Sequence, residues 1–218
     1  MKIHYYLGWF DNFFPEKLSK VLQTDISNRK SLVMISSNPS SLEADGATER
    51  SWLHQAGIVF DEDHVINYHI SREDAQRLIR NASVIFLLGG DTIKLNTFLD
   101  EYELAKPIKQ SRAVILGASA GAINMSVKWI CSNNFGYDVE RSTIYDGIGL
   151  DDFAVLSHFN LENDLSMVHN ELSSLSEEVT IYASNKDCAV RVKGGNIDIV
   201  GDVYLISHTK MQKLEETL

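Results

Sequence analysis

Residues 113–126 read AVILGASAGAINMS. The run Ala113 to Leu116 has the length and composition of a buried strand, and from Ala122 the close apolar spacing of a helix takes over. Between them lies Gly117-Ala118-Ser119-Ala120-Gly121, a strand-to-helix turn of small residues around a single hydroxyl. Glycines relieve the crowding of a sharp turn whose central residue is held in a strained conformation, side chain projecting above the sheet. Gly-x-Ser-x-Gly between a strand and a helix is the pattern of a nucleophile elbow. A turn that merely packs helix against strand, or one that binds phosphate, explains the five residues as well.

Outward from this turn, short apolar runs alternate with helical patterns, the arrangement that builds parallel strands joined by crossover helices. The predicted strands are Ile3 to Leu7, Ser31 to Ser36, Val84 to Leu88, Ala113 to Leu116, Ala154 to Ser157 and Val179 to Ala183. Helical spacing is expected over Pro15 to Leu22, Asp45 to Ala56, Arg72 to Ile79, Thr92 to Leu104 and Asn163 to Leu175, with Asp45 and Ser71 capping their helices. Near the end, Lys193-Gly194-Gly195-Asn196 offers positive-φ positions between two β-rich runs, which predicts an antiparallel hairpin followed by a final short strand. The expected fold is one three-layer α/β/α domain over residues 1–218, with a mostly parallel sheet and a C-terminal hairpin.

Composition narrows the function. The 218 residues are 44% apolar and carry a net charge of −10, enough chain for a substantial core and the wrong charge for general binding of nucleic acid or anionic membrane. Cys131 and Cys188 stand far apart with no partner at zinc-like spacing, so reduced thiols are expected, with no metal site and no cofactor. The opening MKIHYYLGWF is too short and too aromatic for a secretory signal, and no run reaches the roughly 18 apolar residues of a membrane span. A cytoplasmic protein is the simplest expectation, and homodimer formation is left open.

The chemistry gathers around two glycine turns. Leu87-Leu88-Gly89-Gly90-Asp91-Thr92 also ends a strand and opens a helix, and Gly90 lies 29 residues before Ser119. Both loops then fall at the C-terminal edge of neighbouring parallel strands, where open α/β sheets bind ligands. The Ala120 N–H sits at the positive end of a helix and the Gly90 N–H has no side chain to obstruct a carbonyl, so the two can act as oxyanion donors. A serine hydroxyl needs a general base at neutral pH. His158 closes the strand Ala154 to Ser157, and His208 follows the last strand as the alternative. His4, His54, His64, His69 and His169 belong to no motif.

LLGGDT, ILGASAGAINMS and LSHFN, in this order and spacing, resemble the peptidase S51 family of peptidase E dipeptidases and cyanophycinases. The resemblance implies a fold similar to class I glutamine amidotransferases, with serine in place of cysteine. It also implies Ser119 as nucleophile, His158 rather than His208 as its base, and Gly90 and Ala120 as oxyanion donors. Peptidase E carries an acidic triad member 15 residues after the serine, where this chain has Asn134. The acid of cyanophycinases aligns with Lys186, leaving Asp187 one residue away; Asp138 and Glu162 are further candidates. Peptidase E also holds its aspartate substrate with an arginine after the catalytic histidine, whereas Leu161 to Leu175 contains no Lys or Arg. Arg141 is the cation that could reach the pocket, although a solvated surface arginine explains it better.

The expected protein is therefore a serine-type peptidase or amidase that cleaves small peptides through an acyl-enzyme. Two alternatives stand beside it: a catalytically silent, amidotransferase-like binding protein, and an esterase built on Ser119, Asp187 or Asp198, and His208.

Overall fold

Strands buried on both faces need apolar residues at every position, and β1 (Ile3–Leu7), β2 (Ser31–Ile35), β4 (Val84–Leu87) and β5 (Val114–Ala118) come close to this. The computed structural model, which describes residues 1–41, 45–161 and 171–218, places them in a seven-stranded sheet. With β3 (Glu62–Ile66), β10 (Ala189–Lys193) and β11 (Asn196–Val200), its order is β11-β10-β1-β5-β4-β2-β3. Strands β1 to β5 pair in parallel, and the hairpin β10–β11 adds to β1 antiparallel. That is the hairpin expected around Gly194-Gly195, both at positive φ.

Alternation along each strand divides two cores. Leu32, Met34, Val84, Phe86 and Leu116 face α1 (Glu16–Asp25) and α2 (Ala47–Gln55) through Leu18, Leu22, Trp52 and Leu53. Val33, Ile35, Ile85, Leu87 and Ile115 face the other layer. That layer holds α3 (Arg72–Asn81), α4 (Thr92–Glu101), α5 (Ala105–Gln110) and α6 (Ala120–Met125). Complete burial of a side chain such as Phe86 contributes about 1.5–3 kcal/mol, so one sheet anchored on both faces is a rigid platform.

Three details differ from expectation. Helix α2 starts at Ala47 with Gly46 as its cap; the Asp45 carboxylate instead accepts the Ser36 hydroxyl and the Gly46 N–H, while Ser71 does cap α3 by accepting the Asp74 N–H. The predicted helix Thr92 to Leu104 ends at Glu101 as α4, and α5, which was not predicted, follows from Ala105. Strand β3, which is not among the predicted strands, is an edge strand carrying Glu62, Asp63 and His64, and charged residues are tolerated on an edge. Most of the predicted helix Asn163 to Leu175 lies outside the described residues, as does His169.

The largest correction concerns β8 (Phe153–Leu156) and β9 (Thr180–Ser184). They pair in parallel as predicted, but in a second, four-stranded sheet of order β13-β12-β9-β8. Strands β12 (Val203–Ser207) and β13 (Lys210–Lys213) complete it, two strands where one was expected. Phe153 and Val155 join the core of the main sheet, whereas Ala154, Leu156, Ile181 and Ile206 pack with Leu172 and Leu175 beside α7 (Ser173–Glu178). An antiparallel ribbon, β6 (Lys128–Cys131) with β7 (Thr143–Asp146), is a further element not foreseen.

Candidate active site

Ser119 stands between β5 and α6 at φ 45°, ψ −107°, a conformation an L-residue adopts only under strain. Its backbone is tied on both sides: its N–H donates to the Leu7 carbonyl at 3.0 Å and its carbonyl accepts the Ile123 N–H at 2.9 Å. Gly121 is needed because a Cβ there would run into the Leu87 carbonyl of β4. The turn therefore packs closely around Ser119, a residue 6% exposed that lines the adjoining cavity.

The Ser119 hydroxyl lies 2.8 Å from Nε2 of His158, which follows β8 at φ 62°. Two residues 39 positions apart are thus joined across the two sheets. Burial, reinforced by the positive charge of Lys186, lowers the His158 pKa below its ordinary value and so favours the neutral imidazole. A neutral imidazole beside a serine hydroxyl can accept its proton. Lys186 is itself held by Asp11, with Nζ 3.0 and 2.9 Å from the two carboxylate oxygens.

Ala120 is the first residue of α6, where a helix N–H has no carbonyl one turn earlier to bond. Gly90, at φ 131°, lines the same cavity as Ser119 and His158. This cavity of about 560 Å³ is walled by apolar side chains that include Ile123, Trp129, Ile130, Leu156 and Leu175. Asp91 and Asp138 are its acidic lining residues, and among the described residues no Lys or Arg lines it. Asp91 also caps α4 by accepting the Lys94 N–H at 2.9 Å. The β6–β7 ribbon supplies Trp129 and Ile130, so elements missed in the sequence form a wall of the site.

The four candidates for an acid partner separate. Among the described residues no carboxylate is hydrogen-bonded to His158. Asp138 lines the cavity, Asp187 is exposed at φ 53° with its N–H on the Trp9 carbonyl, and Glu162 lies outside the described residues. Asn134 donates to Glu171 at 2.6 Å, and the hydroxyls of Ser132 and Ser142 donate to the other Glu171 oxygen at 3.1 and 2.8 Å. Those three donors hold the Glu171 carboxyl below the usual carboxylate range. Asn134 thus holds a carboxylate in a network of its own instead of supplying one to His158.

The residues of the esterase alternative are not brought together. His208 occupies the β12–β13 turn, its ring on the Ser207 hydroxyl at 3.0 Å and its N–H on the Ser176 carbonyl at 2.9 Å. Asp198 pairs with Arg191. Arg141 is exposed and does not line the cavity.

The family model of peptidase family S51 matches residues 26–200. The chain belongs to peptidase family S51. Among curated S51-like relatives, a cyanophycinase from Geminocystis herdmanii is 27% identical over 59% of this chain and 50% of that protein. A cyanophycinase from Synechococcus elongatus is 26% identical over 60% of this chain and 42% of its own length. The matches span about half the length of these curated relatives. Two solved structures share the fold. A peptidase from an acI-B1 Actinobacterium has a TM-score of 0.68 at 21% identity, covering 99% of this chain and 95% of the other. A provisionally assigned peptidase E protein from Listeria monocytogenes EGD-e has a TM-score of 0.65 at 20% identity, covering 92% and 98%.

Two further residues shape the S51 site with no motif to announce them. Ser37, just after β2, donates to the Gly89 carbonyl at 2.5 Å, and Glu49 of α2 accepts the Gly89 N–H at 3.0 Å. Glu49 is 4% exposed, and burial raises its carboxyl pKa. The available signal was position: Ser37 ends a parallel strand at the same C-terminal edge as Gly8, Gly89 and Ser119. Among the described residues no cluster of three or more His, Cys, Asp or Glu could hold a metal ion, and no helix is long and apolar enough to cross a membrane.

Proposed function

We propose that this S51 chain is a serine-type peptidase or amidase that hydrolyses small peptides through an acyl-enzyme. The observation that carries the reading is the 2.8 Å contact between Ser119 Oγ and His158 Nε2 at the edge of a peptide-sized cavity. Neutral His158 takes the hydroxyl proton as Ser119 attacks the substrate carbonyl, and the N–H groups of Gly90 and Ala120 receive the developing oxyanion. The imidazolium then gives its proton to the leaving amine, and water releases the acyl group by the same two steps in reverse order. An acid partner orients the imidazole and stabilises its charged form without taking the proton, so a histidine lacking one remains competent at a lower rate.

The lining of the cavity supports a substrate whose N-terminal residue has a neutral side chain. Apolar walls favour such a side chain, and Asp91 and Asp138 suit a nearby α-ammonium group better than a second carboxylate. A fluorophosphonate probe provides the test: labelling of the wild type and not of Ser119→Ala is expected. An unlabelled wild type would turn the reading towards a binding protein that retains the fold.

A further inference from the structure

A trans peptide is planar, and its carbonyl and N–H point in opposite directions. The carbonyl of Gly89 and the N–H of Gly90 belong to one such unit, with no cis bond among the described residues. Ser37 grips that unit by its carbonyl at 2.5 Å, and Glu49 holds the preceding unit by the Gly89 N–H at 3.0 Å. Both side chains are almost fully buried, 3% and 4% exposed. Fastening the carbonyl to Ser37 turns the Gly90 N–H away from Ser37. Among the described residues that N–H has no protein acceptor, and Gly90 lines the cavity with Ser119. The fit is close: a Cβ on Gly90 would collide with Ser37 Oγ, and at φ 131° only glycine is comfortable.

Two consecutive glycines need such a restraint, because without it the peptide rotates at little steric cost. A donor that must first be oriented stabilises an oxyanion less than one already fixed. We propose that Ser37, supported by Glu49, is a positioning residue that sets the Gly89–Gly90 peptide so that its N–H serves as an oxyanion donor. The inference rests on the hydrolase reading of the same site. Ser37 neither lines the cavity nor bonds to Ser119 or His158, so it acts through the peptide and not on the substrate.

The experiment compares wild type, Ser37→Ala, Ser37→Thr and Glu49→Gln for turnover of a neutral dipeptide, rate of fluorophosphonate labelling and melting temperature. Loss of an oxyanion donor lowers kcat by about 100- to 1,000-fold. Misorientation in Ser37→Ala is expected to lower kcat by roughly 10- to 100-fold, at or below the bottom of that range, with KM changed less than about twofold. Labelling should slow in proportion. Ser37→Thr, which keeps the hydroxyl, and Glu49→Gln, which keeps an acceptor oxygen, should recover most of the rate. Equal kcat in wild type and Ser37→Ala overturns the inference and leaves the hydrolase reading standing. So does a loss that follows melting temperature or falls on KM. A wild type that neither turns over peptide nor labels removes the hydrolase reading, and the inference with it.

Discussion

Replacing Ser119 by glycine and by alanine separates what the turn costs from what the hydroxyl does. Both substitutions remove the nucleophile and its bond to His158, so their difference reports the backbone alone. At φ 45°, ψ −107° the Cβ of serine or alanine is strained by about 1–3 kcal/mol, and glycine is free of that strain. Against this, glycine loses about 0.5–1 kcal/mol through the entropy of its unfolded chain. Ser119→Gly should therefore be more stable than Ser119→Ala by about 1 kcal/mol or somewhat more, roughly 2–4 °C per kcal/mol in a chain of this size. Thermal unfolding followed by circular dichroism, with urea titration as a second measure, checks the difference. Both variants should lose activity on the order of 10⁶-fold, the scale on which removal of a serine nucleophile abolishes its acyl-enzyme route. If Ser119→Gly is no more stable than Ser119→Ala, the turn stores no strain and the elbow argument fails; near wild-type turnover of either variant would eliminate the mechanism.

The two histidines separate next: His158→Ala should be nearly as damaging as loss of Ser119, whereas His208→Ala should stay within a few-fold of wild type, and steady-state kinetics would expose the reverse. Because burial and Lys186 lower the His158 pKa, the basic imidazole persists to lower pH, and the acid limb of kcat/KM should lie below the ordinary histidine value of about 6.5. Lys186→Met removes the smaller of those two causes and frees Asp11, so the limb should move up towards that value; a limb that stays or moves down would refute the assignment. On Asp-Leu, Asn-Leu and Ala-Leu, kcat/KM should favour the neutral N-terminal residues, since no cation among the described residues lines the cavity. Strong preference for Asp-Leu would call for a cation from elsewhere, with Arg141→Ala the first variant to make.

The sequence alone carried whatever depends on local pattern. Apolar runs identify β1, β2, β4 and β5 because strands covered on both faces admit few polar residues. The small residues at Gly117 and Gly121 mark the elbow because no Cβ fits there, and the same logic marks Gly90. Strand-end position left His158 and His208 both open as the base, and the resemblance of the motifs to peptidase family S51 chose His158, whose side chain the fold brings within 2.8 Å of Ser119. What depends on pairing across long separations was not legible. Nothing in the run Phe153 to Leu156 distinguishes a strand of the main sheet from one of a second sheet, since both bury alternate faces. The β6–β7 ribbon is short and half-polar, yet its Trp129 and Ile130 become cavity wall only when the chain folds back over α6. Ser37 and Glu49 are an ordinary serine and an ordinary glutamate until tertiary packing buries them against Gly89, where a buried polar group must find a partner.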